Sequence, residues 1–251
     1  MNKKIALLIL STAAAVTPVA EASNSIQLHA GFATVYSQSP YKAYDNKTKI
    51  YPLLNYKQGK FFLRGKEAGF EVWKKDSHKL DLGISYYDLE FKRKNTSNIQ
   101  MKLLDDRKST MTADLAYSFI MPSGIARLKT SFDILNKSNG LLLDLSYSAP
   151  LKLHRQFQLT PGAGIEWADK KQNDYYYGIS HTESLKSTLP QYRANSGFSP
   201  YIFLEANYTL SNNFDAFIAG RLKFLSKEIK DSPMTGKSKT ASLALGVQYK
   251  F

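Results

Sequence analysis

Segment after segment of this chain repeats its apolar residues at every second position, and any fold it adopts has to satisfy that period of two. From Phe198 the even positions read Phe198, Pro200, Ile202, Leu204, Ala206 and Tyr208, and the odd ones Ser199, Tyr201, Phe203, Glu205, Asn207 and Thr209. Successive side chains of a strand point to opposite faces, so such a segment has one apolar and one mixed face. The split recurs as Leu141, Leu143, Leu145 and Tyr147 against Leu142, Asp144, Ser146 and Ser148, and as Phe157, Leu159, Pro161, Ala163, Ile165 and Trp167 against Gln158, Thr160, Gly162, Gly164 and Glu166. It is also clear around Met111, Ala126 and Phe214. Turn formers separate the segments: Pro122-Ser123-Gly124, Asn136-Lys137-Ser138-Asn139-Gly140 and Ser211-Asn212-Asn213. Runs of this kind between such turns predict antiparallel hairpins in a meander.

Alternation alone suits a soluble sandwich as well as a membrane barrel. Three features select the membrane. Asn2-Lys3-Lys4, the apolar run Ile5 to Ala20 and Ala20-Glu21-Ala22 form an export leader, with cleavage expected before Ser23. Tyr and Trp stand near strand ends, where interfacial girdles lie, and the mixed face carries charges that a dry core rejects. Beyond the leader no stretch is apolar for 18 residues, so no transmembrane helix is expected. A charged share of 22% and a mean hydropathy of −0.34 exclude a polytopic helical protein, and 43% hydrophobic residues exclude a disordered chain. The chain has no cysteine, which removes disulfides, thiolate metal sites and a lipidated N-terminal Cys. At the other end, Leu243, Leu245, Val247, Tyr249 and Phe251 alternate up to the final aromatic residue, like the terminal strand that the outer-membrane insertion machinery recognises. The expectation is an all-β chain: leader 1–22, then residues 23–251 as a transmembrane antiparallel up-and-down β-barrel of the bacterial outer membrane.

Eleven alternating segments can be traced, whereas single-chain bacterial barrels have even strand numbers. Within 60–73, Phe61 and Leu63 share one parity and Phe70 and Val72 the other, so a turn or bulge falls near Arg64-Gly65-Lys66-Glu67. A turn gives twelve strands, the favoured count; a bulge, with 26–37 outside the wall, gives ten. A second parity break, at Tyr86-Tyr87, predicts a further bulge. With the C-terminus in the periplasm, 92–108, 169–197 and 226–238 become outer loops. Asp81, Asp114, Arg127, Lys129, Asp133, Asp144, Glu166, Glu205, Asp215, Arg221 and Lys223 then face the lumen, where opposite charges are expected to pair and fill the space.

The residues offer no catalytic, cofactor or metal site. His29, His78, His154 and His181 do not converge, Asp105-Asp106 are adjacent and read as loop residues, and the components of Ser180-His181-Thr182-Glu183-Ser184 are neighbours in one loop without triad geometry. The Tyr175-Tyr176-Tyr177 run reads as upper-girdle anchors. The net charge of +13 favours anionic neighbours. Lys92-Arg93-Lys94, Lys102 and Arg107-Lys108 cluster on one outer loop, and Lys223, Lys227, Lys230, Lys237 and Lys239 near another. Outer-membrane lipids including lipopolysaccharide are the expected contacts, and nucleic acid is not, because of the address.

Several short stretches are familiar in combination: Tyr51-Pro52-Leu53, Gly59-Lys60-Phe61-Phe62-Leu63, Asp105-Asp106-Arg107, Tyr176-Tyr177-Gly178-Ile179-Ser180, Asp231-Ser232-Pro233-Met234 and the C-terminal Leu245 to Phe251. Together, and in this order, they resemble the MipA/OmpV family, the MltA-interacting proteins. The resemblance implies an outer-membrane barrel without enzymatic activity that acts as a scaffold. It would bridge a murein lytic transglycosylase and a bifunctional penicillin-binding protein in peptidoglycan remodelling. A small pore and a surface adhesin, the latter using the loops at 92–108 and 169–197, are the alternatives.

Overall fold

The computed structural model describes residues 26–251; the expected leader, 1–22, lies outside them. Twelve strands follow one another around a single closed sheet. They are β1 (Gln27–Ser37), β2 (Lys47–Gln58), β3 (Phe61–Arg64), β4 (Glu67–Lys75), β5 (His78–Tyr87), β6 (Thr110–Met121), β7 (Gly124–Asp133), β8 (Leu141–Ser148, resuming as Leu151–Lys152), β9 (Phe157–Ala168), β10 (Gly197–Thr209), β11 (Phe214–Phe224) and β12 (Lys239–Lys250). Each pairs antiparallel with its sequence neighbours. The ring closes where β12 meets β1, from His29↔Lys250 to Ser37↔Ser242. Closure leaves no edge strand, as required of a sheet whose outer face meets hydrocarbon.

The two faces are inverted relative to a soluble protein. Phe32, Leu82, Leu115, Leu145, Ile202 and Leu245 stand exposed on the outside, Leu245 at 60%, whereas Asp81, Asp114 and Asp215 are buried inside, Asp114 at 4%. Aromatic residues gather at the lower rim. Phe214, Tyr249 and Phe251 pack edge to face at centroid distances of 4.9 and 4.8 Å, and Trp73 and Tyr117 are exposed near the lower ends of their strands. They form the girdle that the strand ends promised.

The parity break at 64–67 is a turn, which makes the count twelve. Gly65 takes a φ of 58°, a left-handed conformation that costs glycine little, and lets β3 fold back into β4 after four residues. β2 therefore pairs with β3 only over Asn55–Gln58. Its upper part is fastened by the ion pair of Lys47 with Glu90, 2.6 Å, on the segment that leaves β5. The bulge expected at Tyr86-Tyr87 is not there: β5 keeps an unbroken register with β6 up to Tyr87↔Thr110, and the change of parity is the end of the strand. The bulge lies instead in β4 between Glu71 and Trp73, so Phe70, Val72 and Trp73 all reach the outer face.

Lower turns are short and upper connections long. The upper connections 38–46, 88–109, 169–196 and 225–238 carry three α-helices, α1 (Lys170–Tyr177), α2 (His181–Ser187) and α3 (Lys227–Lys230), and two short 3-10 turns at Arg93–Asn95 and Met101–Leu103. An arginine at Leu145, in the middle of the outer face of β8, should lower the unfolding free energy in vesicles by about 2–4 kcal/mol. The same residue at the inward-facing Ser146 should cost much less, as read by urea titration of the two variants.

Candidate functional site

The inner wall is lined by ion pairs. Lys129 reaches Asp114 at 3.0 Å and Glu67 at 3.3 Å, and Arg127 joins Glu67 at 3.2 Å. Beside this group Asp81 receives Lys79 at 2.9 Å and Arg64 at 3.4 Å. Across the barrel Lys223 is bonded to Glu166, and the Tyr201 hydroxyl donates to Asp144 at 2.9 Å. Tyr201 and Phe203 can lie flat there because their cross-strand partners are Gly164 and Gly162: a Cβ on Gly162 would sit 2.1 Å from the Phe203 ring. Arg221 stacks on the Tyr201 ring at 3.6 Å, and Lys250 pairs with Asp215 at 2.7 Å. Removing one member of such a desolvated pair strands the other, so each group of pairs ties together strands up to three apart along one side of the wall. Two residues of the expected inward set serve locally instead. Asp133 accepts the backbone N–H groups of Leu135, Lys137, Ser138 and Asn139 and so builds the upper turn after β7, while Glu205 accepts from Asn207 on its own strand at 2.6 Å.

Above the lumen the four long connections form a second, apolar core. Tyr41 and Tyr44 come from the first connection, Phe91, Met101 and Leu104 from the second, Tyr176, Tyr177, Ile179 and Leu189 from the third, and Leu225, Ile229 and Met234 from the fourth. Tyr176 and Tyr177, expected as girdle anchors, are in fact 0% and 5% exposed within this cap. Polar groups lock its parts. The Tyr41 hydroxyl donates to the Tyr176 carbonyl, the Ser232 hydroxyl to the Tyr177 carbonyl at 2.6 Å, and the Tyr176 hydroxyl to the Lys108 carbonyl.

The central lock is Arg107. Its guanidinium donates to Glu183 at 2.7 Å, to the Gly178 carbonyl at 3.1 Å and to the Asp105 carbonyl at 2.9 Å. Glu183 also accepts from the Asp105 and Ser180 backbones, both at 3.0 Å, and completes a capping box with Ser180 at the start of α2. Burial raises the proton affinity of this carboxyl, but the Ser180 backbone bond and the Arg107 charge outweigh it, so Glu183 is held below the ordinary glutamate range.

The residues weighed for catalysis are found at separate places in the fold. Ser180 and Glu183 shape a helix terminus, Ser184 donates to the Leu189 carbonyl at 2.7 Å, and His181 is exposed beside them. Asp106 accepts from the Arg93 backbone at 2.8 Å, as a loop residue would. His78 sits at the lower rim against Phe119, with Nδ1 2.5 Å from the Tyr117 hydroxyl. Among the described residues no group of metal-ligating side chains converges.

At the lower rim, Lys57, Lys60, Lys74, Lys75, Lys152 and Arg155 take part in no ion pair among the described residues. Most are exposed, and this end of the barrel is strongly cationic. The lower end of β8 and the turn after it add exposed Leu151 and Leu153 beside Lys152.

An inverted, closed barrel with a girdled wall and a capped outer mouth defines an outer-membrane β-barrel protein. The sequence profile of the family described as MltA-interacting protein MipA matches residues 30–251, and the chain belongs to that family. It is 37% identical over 253 residues to the MltA-interacting protein of Escherichia coli (strain K12), covering 99% of both chains. It is 24% identical over 215 residues to the 24 kDa outer membrane protein of Pasteurella multocida (strain Pm70), covering 82% of this chain and 83% of that one. To the outer membrane protein OmpV of Vibrio cholerae it is 24% identical over 151 residues, 60% of this chain and 58% of the relative. An outer membrane channel from Pseudomonas putida F1 superposes with a TM-score of 0.43 at 9% identity, covering 92% of this chain and 97% of that one.

Arg107→Ala leaves Glu183 buried without its cation and should destabilise the cap by about 3 kcal/mol. The readout is faster proteolysis within 169–196, with the barrel still resistant to detergent unfolding. A carboxyl with a lowered folded-state pKa stabilises fully above its unfolded value and loses that contribution as pH falls through the folded one. Protection of the cap should therefore fade below roughly pH 4. In Glu183→Gln it should be weaker and no longer change across that window.

Proposed function

We propose that the protein is a non-enzymatic scaffold whose periplasmic rim holds a murein lytic transglycosylase and, through it or beside it, a bifunctional penicillin-binding protein. The observation that carries this reading is the full-length relationship to a protein named for its interaction with MltA. The geometry is consistent with it. The lumen is occupied by paired charges and the outer mouth by the packed cap, which leaves the rims as the surfaces for work. The lower rim is short-looped, and its six cations form no ion pair among the described residues, a surface suited to an acidic face on a periplasmic enzyme. The upper rim stands in the outer leaflet, where its lysines meet lipopolysaccharide.

The test is capture from detergent-solubilised envelope on the refolded, tagged barrel, with an unrelated basic barrel of similar size as control. Enrichment of a lytic transglycosylase or penicillin-binding protein is expected. Reversing Lys74, Lys75, Lys152 and Arg155 to glutamate should abolish it, and the loss should be mimicked by raising the salt concentration. Recovery of neither enzyme by the native barrel would sink the scaffold reading.

A further inference from the structure

We infer that the outer rim between β11, β12 and β1 is a binding site for one phosphorylated, multiply acylated saccharide lipid: its phosphate sits among Lys42, Lys230 and Lys237, and an acyl chain lies in the wall groove floored by Gly220. This deepens the reading that the upper rim meets lipopolysaccharide and does not depend on the scaffold.

Two adjoining hollows carry the inference. The upper one, about 350 Å³, is lined by Lys42, Lys230, Thr235, Gly236, Lys237 and Ser238. None of its three lysines forms an ion pair among the described residues, although Asp231 follows Lys230 directly and is exposed. Thr235, 5% exposed, has a hydroxyl oxygen with no hydrogen-bond partner among the described residues, an unusual state for a buried polar atom. Backbone bonds brace this corner: Lys42 N–H to the Met234 carbonyl at 2.9 Å and Gly236 N–H to the Pro40 carbonyl at 3.0 Å. The backbone at Lys42 and beside Lys237 is thus held before any ligand arrives, and three lysines lining one hollow make it a cationic corner suited to an anion.

The lower hollow, about 500 Å³, is apolar and lies on the lipid-facing wall. Gly220 is paired with Leu204 on one side and Leu243 on the other, and a Cβ there would meet nothing nearer than the Leu243 side chain at 3.9 Å. Ala241 extends this low floor toward the rim, and Leu222 and Tyr36 raise its edges. A hydrogen-bond chain joins the two hollows: Lys237 Nζ donates to Asn46 Oδ1 at 3.2 Å, and Asn46 Nδ2 donates to the Tyr36 hydroxyl at 3.1 Å. Phosphate chemistry above and hydrocarbon directly below describe one amphiphile standing in the membrane. A free phosphate would need only the upper hollow.

The experiment measures ligand binding to the refolded barrel in detergent by native mass spectrometry, offering bisphosphorylated lipid A, its dephosphorylated form and inorganic phosphate. Expected is binding of the bisphosphorylated lipid that falls at least about tenfold in Lys42→Ala/Lys230→Ala/Lys237→Ala, and falls also in Gly220→Leu, whose side chain fills the groove. Restoring the three positions as arginine should restore binding. Heat-modifiable gel mobility and cap proteolysis verify that each variant is folded; if the triple variant is not, Gly220→Leu and the dephosphorylated lipid decide alone. Undiminished binding by both variants, or equal binding of the dephosphorylated lipid, overturns the site while leaving lipopolysaccharide contact elsewhere on the rim possible. Absence of binding by the native barrel overturns the site and the broader contact together. Phosphate binding that is lost in the triple variant but insensitive to Gly220→Leu, with no lipid binding, reassigns the upper hollow to free phosphate and overturns the lipid assignment.

Discussion

Hydrocarbon offers a peptide group nothing to bond with, and that single deficiency organises the molecule. Every strand has to find partners on both sides, so the sheet cannot end and β12 has to return to β1. Closure then fixes two surfaces with opposite requirements. The outside accepts leucine, isoleucine and phenylalanine at high exposure, and polar side chains turn inward. Inside, the inward charges neutralise one another: Lys129 between Asp114 and Glu67, Lys79 beside Asp81, Lys223 on Glu166.

The cap follows a different logic from the wall. Its strength lies in side chains that strands could not have brought together. Arg107 is the clearest case, because it bonds two carbonyls and a carboxylate from separate parts of the chain and thereby fixes where α2 begins. The stretches that mark the family cluster here: Asp105-Asp106-Arg107, Tyr176-Tyr177-Gly178 and Ser232 touch one another through Arg107 to Gly178 and Ser232 to Tyr177.

Side-chain parity carried most of the wall into the sequence, since the period of a strand is fixed by its backbone. The turn at Gly65 was legible as a parity break with a glycine in it. The break at Tyr86-Tyr87 looked identical and was only a strand end, while the real bulge at Val72 was hidden inside an aromatic and apolar run. The identity of the inward residues could be read, but their pairing could not, because it depends on the stagger of strands around the ring. Asp133 shows the limit: by parity it belongs to the lumen, yet four backbone N–H groups of the following turn and the Thr110 hydroxyl of β6 claim it. The cap was not legible at all. Three consecutive tyrosines serve equally well as interfacial anchors or as a core, and only contacts across distant loops decide between them. The Lys42, Lys230 and Lys237 hollow escaped for the same reason, although two of its lysines were visible as part of a basic cluster.

The first and fourth upper connections meet only because the chain's two ends of the sheet have been zipped together. Tyr41 pairs with Thr235 and Lys42 bonds Met234 across nearly two hundred residues of sequence, at the top of the β12 and β1 seam. Until that seam is complete, Tyr41 and Met234 have no common place to be buried. The cap's hydrophobic core is therefore a product of ring closure, formed on the far side of the membrane by loops that have already crossed it. A finished cap is a structural record that the last strand has been inserted, and a barrel stalled one strand short would display its tyrosines to the outside.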